Sequence, residues 1–173
     1  MTDGTNKERK MAIILIGMPS CGKSTLGVLL AKNLGMKFID SDLLIQEREG
    51  ALLHEIISEK GIKGFIRIEE EVNLSIAERR AVISTGGSAV YGARAMEHFA
   101  SLGTVVYLRI SRETLKSRLG DYVHRGVVMP EGYTLDDMFN ERSALYEQYS
   151  ELTVDVDNGD ISTSLGELLT RLG

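Results

Sequence analysis

The chain has 173 residues, 43% of them hydrophobic, which suits one domain with one sizeable core. Twenty Lys and Arg residues against 25 Asp and Glu residues give a net charge of −5, which argues against a general nucleic-acid or membrane-surface binder. No apolar run approaches the roughly 20 residues that cross a bilayer, and the polar start lacks a signal-peptide pattern. We therefore predict one domain over residues 1–173, a cytoplasmic location, and neither nucleic-acid nor membrane partners.

Short apolar runs alternate with segments of helical periodicity along the chain. Strands are predicted at residues 11–17, 36–40, 81–85, 104–110 and 152–156. Helices are predicted at 23–34, 65–80, 93–102, 111–119 and 134–150, with Thr134 as a cap, and Ser164 is predicted to cap a terminal helix. Strands separated by helices indicate a parallel α/β sheet with helices on both faces.

Two stretches show neither strand nor helix periodicity. Residues 120–133 form a connection that is long for a compact domain, and such loops are usually lids or binding loops. We predict a lid there. The polar residues 1–10 are expected to be a flexible N-terminus.

A phosphate-binding motif follows the first predicted strand. Gly17-Met18-Pro19-Ser20-Cys21-Gly22-Lys23-Ser24 fits G-x-x-x-x-G-K-[ST] in full. The two glycines allow the backbone to turn N–H groups inward, and the next helix adds its positive end, so the loop suits phosphate. Lys23 is expected to reach the β- and γ-phosphates and the Ser24 hydroxyl to bind Mg²⁺. The predicted ATP-binding residues of this loop are Gly17, Ser20, Cys21, Gly22, Lys23, Ser24 and Thr25.

Cys21 is the one cysteine of the chain, which excludes an internal disulfide. A thiol at a helix N-terminus could serve as a redox sensor. The absence of a resolving thiol favours a small side chain tolerated in a loop that works through its backbone.

Six segments together are similar to one known family. In chain order they read LIGMPSCGKSTLG, FIDSDLLIQEREG, FIRIEEEV, ISTGGSAV, RLGDYVHRG and NERSALY. In order and spacing they resemble the shikimate kinase family over nearly the whole chain from Met11. The resemblance implies a three-layer α/β/α P-loop fold, a five-stranded parallel sheet arranged as in nucleoside-monophosphate kinases, and a mobile lid. It also implies phosphorylation of shikimate to shikimate 3-phosphate in aromatic amino acid biosynthesis, with ATP and Mg²⁺, by a monomeric protein.

The resemblance also implies roles for individual residues. Asp40 would organise the Mg²⁺ shell together with Ser24, and Asp42 would act on the acceptor hydroxyl as general base or orienting group. From the residues alone, Asp40 could equally cap the next helix. Gly86, Gly87 and Arg142 would bind the acceptor. Arg118 would pack on adenine, or remain a solvated surface arginine, and Arg125 in the lid would reach the transferring phosphoryl group.

Four positions depart from the family pattern: Ile66, Ser88, Gly126 and Ala144. Ile66 stands where the family carries a second arginine for the acceptor carboxylate. Either Arg67, Lys63 or another cation compensates, or the acceptor differs; Ile66 could also simply be a core residue. Gly126 in place of proline is expected to make the lid more flexible.

We therefore predict an ATP:alcohol phosphotransferase with Lys23, Asp42 and Arg125 as catalytic residues and a small hydroxyl-bearing molecule as partner. Shikimate is the leading acceptor; a polyol, a sugar, another small acid or a nucleoside monophosphate are alternatives. A non-catalytic ATP-binding module is the second hypothesis, although such a module needs no acceptor-side Asp42. A GTPase is disfavoured because no N-K-x-D motif is present.

Overall fold

A computed structural model describes residues 12–120, 126–157 and 159–173. The expected flexible N-terminus and Arg125 lie outside the described residues. In chain order the elements are β1 (Ala12–Ile16), α1 (Lys23–Leu34), β2 (Lys37–Asp40), α2 (Ser41–Glu49), α3 (Leu53–Ser75), β3 (Ala81–Ser84), a 3₁₀ turn (Ala89–Tyr91), α4 (Ala93–Leu102), β4 (Gly103–Arg109), α5 (Arg112–Leu119), α6 (Leu135–Tyr149), β5 (Leu152–Asp155) and α7 (Ile161–Leu172).

The five strands form one parallel sheet in the order β2-β3-β1-β4-β5. The connections from β1 to β2 and from β3 to β4 run in opposite directions along the sheet. Because such crossovers are right-handed, α1 and α4 lie on opposite faces. The predicted α/β fold with five parallel strands and helices on both faces is confirmed.

Two apolar clusters stabilise the described residues. The larger lies on the sheet, where every residue of β1 and β3 is buried. The smaller joins α2 and α3 to Val128, which lies within the predicted lid at 120–133. Its buried members are Ile45, Ile56, Phe65, Ile68, Val72 and Val128. The second cluster therefore supports the acceptor-side helices independently of the sheet.

The strand predictions are confirmed within about one residue, but the helix predictions between β2 and β3 are wrong. The helix predicted at 65–80 runs instead over Leu53–Ser75, and α2 was not predicted. Gly61 has φ 70° and ψ 173°, which kinks α3 and interrupts its periodicity. The terminal helix is capped not by Ser164 but by Asp160, whose side chain accepts from the Thr163 N–H.

Other helix ends agree with the sequence. Thr134 caps α6 as predicted, and it forms a reciprocal capping box with Asp137. Within the described ranges, no helix combines the length and apolar character that a bilayer span requires.

Candidate active site

The loop between β1 and α1 forms an open cradle of backbone N–H groups. Gly22, at the N-cap of α1, has φ 100°, and no side chain caps the first turn. Gly17 has φ 151°, and a Cβ there would lie 2.6 Å from the Leu108 carbonyl oxygen. Ser20 adopts φ 62° without being glycine, a strained conformation of the kind that clusters at functional sites. The free N–H groups and positive end of α1 suit an anion.

Lys23 is held against this loop. Its ammonium donates to the carbonyl oxygens of Gly17 and Met18, both at 2.8 Å, and the side chain is only 8% exposed. The buried Cys21 sulfur lies 3.7 Å from the same Nζ. A bound phosphate would replace neutral carbonyls with charged oxygens, so Lys23 is placed to turn toward it.

Asp40 joins the loop to α2. Its Oδ2 accepts from the Ser24 hydroxyl at 2.7 Å, while its Oδ1 caps α2 by accepting from the Asp42 N–H at 3.0 Å. Asp40 therefore does cap the next helix, as the residues alone allowed, and also lies against the predicted Mg²⁺ ligand Ser24. The Ser84 hydroxyl is 3.2 Å from that of Ser24.

These hard oxygens fit Mg²⁺, which commonly takes one or two protein ligands and completes its shell with water and phosphate. Among the described residues, no group of three or more His, Cys, Asp or Glu side chains is placed to hold a metal by itself. A protein-only metal cage is therefore not part of the described chain, and the Ser24–Asp40 pair fits a nucleotide-bound Mg²⁺.

Asp42 is a half-buried carboxylate that lines the cavity. Burial raises its pKa to about 6, with the neighbouring Asp40 adding to the effect and Lys23 opposing it. A poorly solvated carboxylate that lines a cavity is a strong candidate for receiving a hydroxyl proton.

The loop after β3 brings its backbone against the acceptor side. Gly86 lies so close to two carboxyl groups that a Cβ on it would be 2.5 Å from Glu69 Oε1 and 2.7 Å from Asp42 Oδ1. A Cβ on Gly87 would lie 2.9 Å from Pro19 and 3.2 Å from Arg142 Nη1. Both positions are glycine because the neighbouring atoms leave no room for a Cβ, and not because the backbone has a positive φ.

Replacement of Gly86 by alanine is expected to displace both carboxyl groups. A displacement near 1 Å costs about 10²-fold in a positioned reaction, so the G86A variant should lose about 10- to 100-fold in kcat/KM for the acceptor while nucleotide affinity changes little. Steady-state kinetics and nucleotide titration measure the two effects. Gly166→Ala is the matched control, because a Cβ there meets nothing within 4 Å. Equal losses in both measurements for G86A would contradict this assignment.

Arg142 is a buried cation, 1% exposed, on α6. One guanidinium nitrogen donates to the Val128 carbonyl oxygen and another to the Tyr91 hydroxyl at 3.4 Å, and the group lies 5.3 Å from the centre of the Tyr91 ring. The guanidinium is thus fixed beside Gly87, as an anion-binding group requires.

A cavity of about 550 Å³ connects these groups, a volume typical of small-molecule sites. Its lining includes Ser20, Gly22, Lys23, Ser24, Thr25, Asp42, Gly86, Gly87, Ser88, Arg118 and Arg142. Arg118 is exposed and lines the cavity, and its contact with adenine stays a prediction. Gly17 and Cys21 belong to the loop but are buried and do not line the cavity, and Asp40 contacts it through the Ser24 hydroxyl.

Comparison with known proteins identifies this arrangement. The family model described as shikimate kinase matches residues 19–172. The chain belongs to the shikimate kinase family. It is 37% identical over 164 residues to a shikimate kinase of Mycobacterium avium, covering 92% of both chains. Of the solved structures, the family's enzyme from Acinetobacter baumannii in complex with shikimate has a TM-score of 0.84 at 29% identity, covering 94% of this chain and 92% of that one. The enzyme from Aquifex aeolicus has a TM-score of 0.82 at 31% identity, covering 94% and 96%.

Two departures from the family pattern have structural reasons here. Ile66 packs against the second apolar cluster, so its core interpretation is the one the structure supports. Gly126 has φ 67°, which proline cannot adopt, and a Cβ there would lie 2.5 Å from Leu53 Cβ. The glycine thus lets this part of the predicted lid approach α3 closely.

Neither proposed substitute for the missing arginine lines the cavity. Lys63 and Arg67 are both exposed on α3. The buried Glu69 and the half-buried Tyr91, which contacts Arg142, were not predicted as site residues. Glu69 could have been suspected, because it lies four residues after the core residue Phe65 and so on the same helix face.

Proposed function

We propose that this chain transfers the γ-phosphoryl group of MgATP to the 3-hydroxyl of shikimate. The observation that supports this most is one cavity lined both by the phosphate loop and by the half-buried Asp42 and the buried Arg142. A nucleotide-binding module without catalysis would need neither of those acceptor-side groups. The family's enzymes carry out this phosphoryl transfer, which serves aromatic amino acid biosynthesis.

On the nucleotide side, the free N–H groups at the start of α1 bind the phosphates, and Lys23 leaves its two carbonyl partners for the β- and γ-oxygens. Ser24 and Asp40 would hold Mg²⁺, which neutralises phosphate charge when bound. Arg118 would pack against adenine. Arg125 would stabilise the transferring group from the lid.

On the acceptor side, Asp42 orients the hydroxyl for in-line attack and accepts its proton. Arg142 binds the acceptor carboxylate, and Gly86 and Gly87 let the acceptor approach the backbone closely. Catalysis therefore depends on positioning and electrostatics, because the protein forms no covalent intermediate in this scheme. We propose a monomer with one domain over residues 1–173.

The loss of a second arginine at position 66 should weaken acceptor binding. A charge-assisted hydrogen bond contributes about 1.5–3 kcal/mol, so the KM for shikimate is expected to lie roughly ten- to a hundredfold above that of a relative with both arginines.

An acceptor panel tests the proposed function. ADP release, coupled to a spectrophotometric readout, is measured with shikimate, a neutral polyol, a sugar and a nucleoside monophosphate. Shikimate should stimulate turnover at least about tenfold more than any neutral acceptor, because only an anion gains the buried Arg142 contact. A reaction without acceptor is the control, because its ADP release measures phosphoryl transfer to water. If shikimate stimulates ADP release no better than water, the assignment of the acceptor fails.

A further inference from the structure

Glu69 is a buried carboxyl group that the scheme above does not use. It lies on α3 and is 1% exposed. The Ser88 hydroxyl donates to its Oε2 at 2.7 Å, and its Oε1 has no hydrogen-bond partner among the described residues. Burying a carboxylate with one neutral hydrogen bond and an unpartnered oxygen is costly.

The groups that face Glu69 do not form an ion pair with it. Asp42 on α2 approaches the same side of Gly86 as Glu69 does. A Cβ built on Gly86 would lie 2.7 Å from Asp42 Oδ1 and 2.5 Å from Glu69 Oε1. Arg142 on α6 and Lys23 on α1 act on Glu69 only at longer range, and both are hydrogen-bonded to carbonyl oxygens. One turn earlier on α3, Ile66 packs into the second apolar cluster and brings no charge.

The electrostatics of this corner follow from those contacts. The pKa of Glu69 is raised to about 8, mainly by burial and also by the nearby Asp42. The Ser88 hydrogen bond, Arg142 and Lys23 oppose this rise and only partly offset it. At neutral pH this side chain therefore holds a proton, and the pair of carboxyls carries one negative charge. A second negative charge beside Asp42 would repel an anionic acceptor in a poorly solvated pocket.

We propose that Glu69 works as a neutral carboxylic acid held by Ser88, and that its proton allows a pocket with isoleucine at position 66 to bind an anionic acceptor. The inference rests on the proposed function for the identity of that acceptor. Glu69 is thus a positioning residue that acts through the charge of the pocket. Ser88, the last residue of the T-G-G-S segment after β3, gains a role, because it supplies the hydrogen bond that fixes Glu69.

The first test is the pH dependence of kcat/KM for shikimate at saturating MgATP. Wild type should lose about tenfold between pH 7 and pH 9 as Glu69 ionises near pH 8. Glu69→Gln keeps an acceptor for Ser88 and a neutral side chain, so it should stay within about threefold of wild type at pH 7 and show no alkaline fall. Ser88→Ala should move the alkaline fall to higher pH, because Ser88 stabilises the charged form.

Glu70→Gln is the matched control and should keep the wild-type profile, since Glu70 accepts from the Arg94 N–H and does not line the cavity. A merely structural Glu69 would change activity equally at every pH. An alkaline fall that persists in E69Q would overturn the inference, as would an S88A profile shifted to lower pH.

The second test needs no acceptor. In protein labelled with ¹³C at the glutamate carboxyl carbons, the signal absent from E69Q belongs to Glu69, and it should titrate near pH 8. Full ionisation below pH 6 would overturn the inference. A Glu69 signal that titrates near pH 8 in a protein without shikimate turnover would overturn the proposed function but not the proton on Glu69.

Discussion

Replacement of Asp42 by asparagine should lower kcat for phosphoryl transfer by about 10²- to 10⁴-fold, the usual contribution of a positioned acid or base. The amide has nearly the same shape but cannot receive the hydroxyl proton. Nucleotide affinity should change less than about threefold, because the phosphate-binding N–H groups belong to the loop before α1. Rapid-quench kinetics measure the transfer step, and titration with a nucleotide measures affinity.

Asp136→Asn provides the control for this variant. Asp136 is exposed and forms ion pairs with Arg112 and Lys116 on the surface, and such pairs contribute at most about 1 kcal/mol. The D136N variant should keep wild-type turnover. An unchanged rate of phosphoryl transfer in D42N would show that Asp42 takes no part in the reaction.

Replacement of Lys23 by methionine should cost at least about 10³-fold in kcat/KM and also weaken ATP binding. The side chain fills a similar volume, so the buried pocket beside Gly17 and Met18 stays occupied. What is lost is the positive charge at the β- and γ-phosphates, where charge develops in the transition state. Turnover and nucleotide titration, measured on the same preparation, separate the two losses.

Lys37→Met is the matched control, because Lys37 is exposed and forms a surface ion pair with Glu78 at 3.2 Å. Its turnover should equal that of wild type. Intact ATP turnover in K23M would exclude a phosphate-binding role for Lys23. It would also contradict phosphate binding by the loop between β1 and α1.

Much of the fold is predictable from the sequence because its central strands are buried on both faces. The apolar runs of β1, β3 and β4 are continuous, and helices of clear periodicity separate them. Helix α2 is different, because its apolar residues Leu43, Leu44 and Ile45 are adjacent rather than spaced by three or four. It begins where Asp40 caps it and ends at Gly50, so its two ends define it more clearly than its periodicity.

The nucleotide side of the site is also predictable from the sequence, because the motif from Gly17 to Ser24 is continuous in the chain. The acceptor side is assembled from distant segments. Nothing local indicates that Ser88 reaches Glu69, or that Arg142 donates to the Val128 carbonyl oxygen. Such contacts depend on how α3, α6 and the β3 loop pack, which single-sequence periodicity does not specify. The roles assigned to Asp42, Arg125 and Arg142 remain predictions.

A crystal structure with MgADP and shikimate bound is the direct test of the proposed phosphoryl transfer. It should show the nucleotide phosphates on the N–H groups at the start of α1, with Lys23 turned from the Gly17 and Met18 carbonyls onto phosphate. The Asp42 carboxylate should lie within hydrogen-bond distance of a shikimate hydroxyl, and Arg142 should contact the acceptor carboxylate. Lys23 still bound to the loop carbonyls, or a shikimate molecule away from Asp42, would contradict the proposed transfer.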